Sequence, residues 1–261
     1  MKVVILCGGK GTRLREETEY RPKPMVPIGN YPILWHIMKT YATQGFNEFV
    51  LCLGYKGDII KDYFRNYLWM ASDVTLTLGR KPSVHFHGHH DEEDWSVTLA
   101  ETGAETMTGG RIRRIRRFLG DDDTFLLTYG DGVGNVDINA AVAYHRSHGK
   151  LLTLTAVRPP GRFGELGLEP GGVVREFNEK PQAEGGWING GFFVASPKVL
   201  DFIPDSDAVP FEREPIRAIA AAGELRAYQH QGFWQPMDTY QEFMLLNGLW
   251  AEGKAPWKIW K

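Results

Sequence analysis

Val3-Val4-Ile5-Leu6-Cys7-Gly8-Gly9-Lys10-Gly11-Thr12-Arg13-Leu14 is an apolar run that stops on a glycine-rich turn. The run has the length of a buried strand. Glycines without Cβ atoms let successive backbone N–H groups turn toward one anion. Arg21-Pro22-Lys23-Pro24-Met25 follows, so Arg13 and Lys23 add two cations beside the turn. The combination predicts a cradle for a nucleoside triphosphate at the end of a central strand. Two familiar glycine loops fail on spacing. A dinucleotide loop needs a third glycine where Leu14 stands, and a Walker loop needs Ser or Thr after Gly-Lys where Gly11 stands. A plain strand-to-helix turn that binds nothing is the alternative; the paired cations weigh against it.

Outward from this turn, strand and helix patterns alternate. Residues 3–6, 49–53, 124–129 and 151–157 read as strands, and 32–43, 59–67 and 136–148 as helices. Apolar positions Ile33, Leu34, Ile37, Met38 and Tyr41 recur at helical spacing until Gly45. This alternation predicts an α/β fold, Rossmann-like and doubly wound, with a mixed but mostly parallel sheet. After residue 161 the texture changes to short strands near 166–168, 173–178 and 187–195 between Gly- and Pro-rich turns. A helix near 214–222, a strand near 225–228 and a helix near 240–251 close the chain. One domain over 1–261 is expected, with 1–160 and 161–261 as its two parts.

The 261 residues are 43% hydrophobic with a formal net charge of -2. That balance gives no global field for nucleic acid or an anionic membrane, and neither is expected as a partner. The apolar run at the N-terminus ends at Gly8, too short for a signal peptide or a span. Cys7 and Cys52 both lie in apolar runs and read as buried thiols in a reducing, cytoplasmic compartment.

The candidate metal ligands are Asp131, between Gly130 and Gly132 after an apolar strand, and Asp238, after Phe233-Trp234-Gln235-Pro236-Met237. Mg²⁺ prefers oxygen and is usually held by one or two carboxylates plus substrate phosphates. Lys23 lies between two prolines that stiffen its surroundings, which preorganises its charge. Asn189 with Gly190 and Gly191 suggests close approach of backbone to a ligand, the amide offering both a donor and an acceptor.

The glycine turn with Arg21-Pro22-Lys23-Pro24 resembles the opening of the sugar-1-phosphate nucleotidyltransferases. The resemblance continues through Gly54-Tyr55-Lys56, Thr108-Gly109-Gly110-Arg111, Tyr129-Gly130-Asp131-Gly132, Phe163-Gly164, Glu179-Lys180-Pro181, Ile188-Asn189-Gly190-Gly191 and Gly232-Phe233-Trp234-Gln235-Pro236-Met237-Asp238. It implies a nucleotide-binding first part, a smaller sugar-side β region and Mg²⁺ on Asp131 and Asp238. Within the family the motifs are most similar to the branch that joins CTP to glucose 1-phosphate, giving CDP-glucose and pyrophosphate for deoxysugar and surface polysaccharide synthesis. Leu6, Gly8, Gly9, Gly11, Thr12, Arg13, Lys23, Thr108, Arg111 and Gly130 would then surround the nucleotide, with Arg13 and Lys23 catalytic. Gly164, Glu179, Lys180 and Asn189 would hold the sugar phosphate. Arg111 is expected to donate to O2 and N3 of cytosine, and Thr108 to cap a helix starting near Gly109. A homo-oligomer is the expected assembly. The nearest rivals keep the chemistry with UTP, dTTP or GTP, or keep only binding, as a regulatory subunit.

Two stretches invite other readings. Arg111-Ile112-Arg113-Arg114-Ile115-Arg116-Arg117-Phe118 looks basic, but Ile112, Ile115 and Phe118 recur at helical spacing. A solvated arginine face is expected there rather than nucleic-acid binding. His85, His87, His89 and His90, followed by four acids, resemble metal ligands. A solvated hairpin or subunit-contact loop is favoured over a structural metal site.

Overall fold

Val3 and Ile5 face one side of the first strand, Val4 and Leu6 the other, and all four are buried. A strand apolar on both faces belongs inside a sheet covered on both sides. The structure, a computed structural model, describes residues 1–87, 94–159, 165–168, 174–178 and 186–260. Strands β1 (Lys2–Leu6), β2 (Glu48–Leu53), β3 (Ser96–Glu101) and β4 (Phe125–Tyr129) join β6 (Leu152–Val157), β7 (Ile188–Ala195) and β8 (Leu225–His230) in one sheet. A separate short ribbon pairs β5 (Gly132–Gly134) with β9 (Trp234–Pro236).

The sheet order is β8-β6-β7-β4-β1-β2-β3. Every neighbouring pair is parallel except the two made by β7, which runs against both β4 and β6. The expected mixed, mostly parallel α/β sheet is therefore what the chain forms. Strand β3 was not among the expected strands, although Val97 and Leu99 alternate with polar residues along it. The chain winds from β1 outward through β2 to β3, then crosses back to place β4 on the other side of β1. That reversal makes the C-terminal ends of β1 and β4 a switch point, where open α/β sheets bind ligands.

Helices α1 (Ile33–Ala42), α4 (Ile138–His148) and α6 (Tyr240–Ala251) cover the face that carries Val3, Ile5 and Leu51. Helices α3 (Thr108–Arg114) and α5 (Glu214–Ala221) cover the face with Val4, Leu6 and Val50. Helix α2 (Gly57–Arg65) starts and ends two residues before the expected 59–67. Asp137 caps α4 by accepting from Ala140 N–H, and Gly149 ends it at φ 63°. Both cysteines are buried free thiols, and burial pushes Cys52 up to about 12 and Cys7 well above its usual value.

The arginines after Arg111 are not simply solvated. Arg113, Arg114 and Arg116 pair with Asp205, Asp207 and Asp201, fastening α3 and the turn after it to the segment before α5. His85 and His87 lie on the exposed hairpin 73–87, their rings 4.4 Å apart. His89, His90 and the acids at 91–93 lie outside the described residues, and among the described residues no three or more His, Cys, Asp or Glu gather to hold a metal.

His36 on α1 is fully buried and accepts from Trp257 Nε1 at 3.4 Å, while its Nε2 donates to Ile28 O at 3.0 Å. Both partners require the neutral ring, and burial lowers its pKa from 6.5 to about 4. Between those values the unfolded chain binds the extra proton, so stability falls as pH falls through that window. The loss should reach about 3 kcal/mol by the lower end. His36→Gln, which keeps a donor and an acceptor, should flatten that part of the stability curve in urea melts. Parallel curves for parent and variant would remove the assignment.

Candidate active site

The C-terminal ends of β1, β3 and β4 open onto a cavity of about 540 Å³, lined by the glycine turn 8–13, Lys23, the 104–108 segment, Arg111, Tyr129, Gly130, Asp131 and Asp238. All ten residues expected around the nucleotide line it, together with both candidate metal ligands. Backbone N–H groups from Gly9 to Arg13 find no backbone acceptor among the described residues, as an anion cradle requires. Gly130 is held against the other side of β1, its N–H donating to Leu6 O. A Cβ there would lie 2.8 Å from the same carbonyl oxygen, so only glycine lets β4 end this close.

Asp131 and Asp238 come from distant parts of the chain and meet through the short ribbon. Gly132 pairs with Pro236, and Met237 N–H donates to Asp131 O at 2.8 Å, so the two aspartates flank one end of the pairing. The start of α6 fixes Asp238 as well. Glu242 accepts from the N–H groups of Asp238 at 2.7 Å and Thr239 at 2.9 Å, while Thr239 caps the helix in return. Lys23 sits in a tight turn after Pro22 with its side chain only 10% exposed. Its ammonium donates to Asp131 Oδ2 at 2.6 Å and to Asp238 Oδ1. Arg13 reaches the other oxygen of Asp238 at 2.9 Å.

Burial alone would lower the pKa of Lys23, but the charges and hydrogen bonds of the two aspartates outweigh it and raise the value above 10.5. Lys23 is therefore a permanent cation, aimed by two carboxylates. Lys10, by contrast, pairs with Glu105 at 2.8 Å across the cavity mouth, where both side chains are exposed and the pair contributes little.

Arg111 stands where the sequence suggested, at the cavity wall, yet its donors are engaged by the protein itself. Nη1 donates to Leu53 O, Gly103 O and the Thr102 hydroxyl within 2.8 Å, and Nη2 donates to Gly8 O at 3.1 Å and Ala104 O at 3.3 Å. A Cβ on Gly8 would lie 2.1 Å from its guanidinium carbon. The side chain ties together the ends of β1, β2 and β3, and direct donation to a base requires one of these bonds to be exchanged. Burial lowers its pKa below the ordinary guanidinium value. Thr108 differs from expectation too. Met107 is the N-cap of α3, and Thr108 is its first residue, accepting from Phe211 N–H and donating to Glu212.

Beyond Tyr129 lies a smaller cavity of about 40 Å³ bounded by Asp131, Asn189, Gly190 and Trp234. Asn189 faces it from β7 with Oδ1 accepting from Gly191 N–H at 2.9 Å. Trp234 donates to Gly190 O at 2.7 Å, which joins the ribbon to β7. Gly164, Glu179 and Lys180 lie outside the described residues. Glu212 was not anticipated, and no local pattern in Phe211-Glu212-Arg213 marks it.

A family model described as nucleotidyl transferase matches residues 2–247. Glucose-1-phosphate cytidylyltransferase of Salmonella typhi is 54% identical over 262 residues, covering 100% of both chains. Mannose-1-phosphate guanylyltransferase catalytic subunit beta of Xenopus tropicalis is 30% identical over 249 residues, 94% of this chain and 63% of that protein. Among solved structures, UTP-bound UGPase from Acinetobacter baumannii superposes with a TM-score of 0.68 at 14% identity, covering 98% of this chain and 95% of that one. HddC from Yersinia pseudotuberculosis gives 0.67 at 22% identity, covering 95% and 99%. At such identities the structures share the fold alone.

Proposed function

The chain belongs to the nucleotidyl transferase family, and from that premise we propose that it transfers a cytidylyl group from CTP to α-D-glucose 1-phosphate, forming CDP-glucose and pyrophosphate. The observation that carries this is 54% identity along the entire chain to an enzyme named for that substrate and nucleotide. An oxygen of the sugar phosphate attacks the α-phosphorus of CTP, the bond from that phosphorus to the bridging oxygen breaks, and pyrophosphate departs with the electron pair. Both reactants are polyanions. The chief barrier is their repulsion, so positioning and fixed positive charge do most of the catalysis.

The N–H groups of the 8–12 turn receive the triphosphate, and Arg13 and Lys23 face the charge that grows on the leaving pyrophosphate. Gly8, the Leu6 carbonyl region and Arg111 frame the base. Asn189 meets the sugar, and the resemblance adds Gly164, Glu179 and Lys180 to that side. Asp131 and Asp238 would hold the divalent ion. Their donor set fits Mg²⁺: two carboxylates, all hard oxygen, with the remaining ligands left to substrate phosphates. When bound, such an ion polarises phosphoryl oxygens and offsets their charge. A silent regulatory subunit is disfavoured because Arg13, Lys23, Asp131 and Asp238 stand together in one cavity.

The same proposal places the enzyme in a reducing cytoplasm, where Cys7 and Cys52 stay free, and in deoxysugar supply for surface polysaccharide such as O-antigen. It assembles as a homo-oligomer, supported by the exposed Leu68, Trp69, Met70, Leu76 and Leu78 on and beside the hairpin 73–87. No described helix is long and apolar enough to cross a membrane.

Pyrophosphate release should be scored for CTP, UTP, dTTP and GTP, each with glucose, mannose and galactose 1-phosphates. CTP with glucose 1-phosphate should exceed every other pair by at least about tenfold in kcat/KM. A preference for another nucleotide would overturn the proposal while leaving the family intact.

A further inference from the structure

Two hydroxyl groups from different elements converge on one carboxylate that the chemistry above leaves unused. Thr108 Oγ1 donates to Glu212 Oε2 at 2.7 Å, and Tyr129 Oη donates to Oε1 at 2.7 Å. Thr108 opens α3 at the rim of the larger cavity. Tyr129 ends β4 and forms part of the wall of both cavities. On the sugar side, Asn189 Nδ2 donates to the Tyr129 oxygen at 3.4 Å.

The direction of donation runs one way, from amide to phenol to carboxylate. An ionised carboxylate only accepts, so the phenol proton must point at Glu212 and leave the oxygen lone pairs for Asn189. Asn189 Oδ1 is taken by Gly191 N–H, so the amide cannot flip without losing two bonds. Burial first, and then Glu212, hold the Tyr129 hydroxyl well above its ordinary pKa, which keeps it a donor.

Glu212 is exposed, yet its aim is built in. Phe211 beside it is fully buried, and its ring lies 6.0 Å from Phe193, which meets Tyr129 at 5.9 Å. Phe211 N–H also donates to Thr108 Oγ1 at 2.8 Å. Thr108 therefore keeps one fixed partner if the carboxylate is removed. Among the described residues, Tyr129 keeps no other acceptor.

We propose that Glu212 is a positioning residue for the sugar 1-phosphate half of the reaction: through Tyr129 it fixes the donor face that Asn189 presents to the sugar hydroxyls. This rests on the function proposed above. Because Thr108 on the nucleotide side keeps Phe211 N–H while Tyr129 loses its acceptor, the loss should fall on the sugar phosphate and spare the nucleotide.

The test is steady-state pyrophosphate release with each substrate varied at saturating levels of the other. Glu212→Ala should raise KM for glucose 1-phosphate about tenfold, move KM for CTP less than about twofold and lower the melting temperature by only a few degrees, as one unpaired hydroxyl requires. Glu212→Gln should recover most of the loss, since its amide oxygen still accepts from Tyr129. Tyr129→Phe should match Glu212→Ala, and the double variant should be no worse than either single one. It also carries the same test if Glu212→Ala fails to fold. An unchanged sugar KM, or equal rises for both substrates, overturns the role of Glu212 while the function stands. Activity of the parent only with another substrate pair overturns the function, and Glu212 is then scored on that pair's sugar phosphate. A parent silent with every pair overturns both.

Discussion

Asp131→Asn should lower kcat on the order of a thousandfold while the melting temperature stays near that of the parent. The amide keeps the size of the side chain and loses the negative charge that a divalent ion needs. Lys23 loses one of its two carboxylate partners but retains Asp238, so the turn around it stays anchored. Asp131 is also the more exposed of the two acids, at 34% against 15%, which limits the cost of the change to the fold. Asp238→Asn should be as damaging to turnover and more so to stability, because Asp238 holds both Lys23 and Arg13. Pyrophosphate release and thermal melts on the two variants check this. Rates near the parental value for Asp131→Asn would remove the metal assignment.

Lys23→Met comes next in size, with an expected loss of about a hundredfold to a thousandfold in kcat. The ammonium is buried, charged at all working pH values and held beside the two carboxylates. Its removal also leaves two carboxylates in one site without the cation between them, a like-charge arrangement that raises the cost. The pH dependence has a definite sign. A group whose folded pKa is raised contributes stability fully below its unfolded value, and that contribution is lost as pH rises through the folded value. The stability gap between parent and Lys23→Met should therefore be constant from about pH 7 to pH 10. It should narrow only above 10.5. A gap that closes near neutral pH in chemical denaturation would contradict the arrangement.

What could be read from the chain without coordinates was whatever is local. A strand apolar on both faces, a turn of glycines and a lysine between prolines each declare themselves over a few neighbouring residues, and those features place β1, the cradle and Lys23. Edge strand β3 also carried its alternating signal in Val97 and Leu99, close behind the acid-rich run that drew attention to solvent. The ribbon of β5 and β9 could not be found this way. At three residues each its strands are too short for periodicity, and their pairing is a tertiary fact. Arg111 shows the same limit. Its position beside small residues was legible, but its partners are carbonyls at the ends of three strands, which no spacing rule reveals. Glu212 depends on Phe211 being buried behind it, and a single acid after a phenylalanine has no pattern to betray it.

Lys23 reaches partners 108 and 215 residues further along the polypeptide. Synthesis proceeds from the N-terminus, so the phosphate cradle and its lysine emerge long before the strand that delivers Asp238. Until residues 234–242 have left the ribosome and folded back, a nascent chain holds Lys23 without the second carboxylate that fixes it.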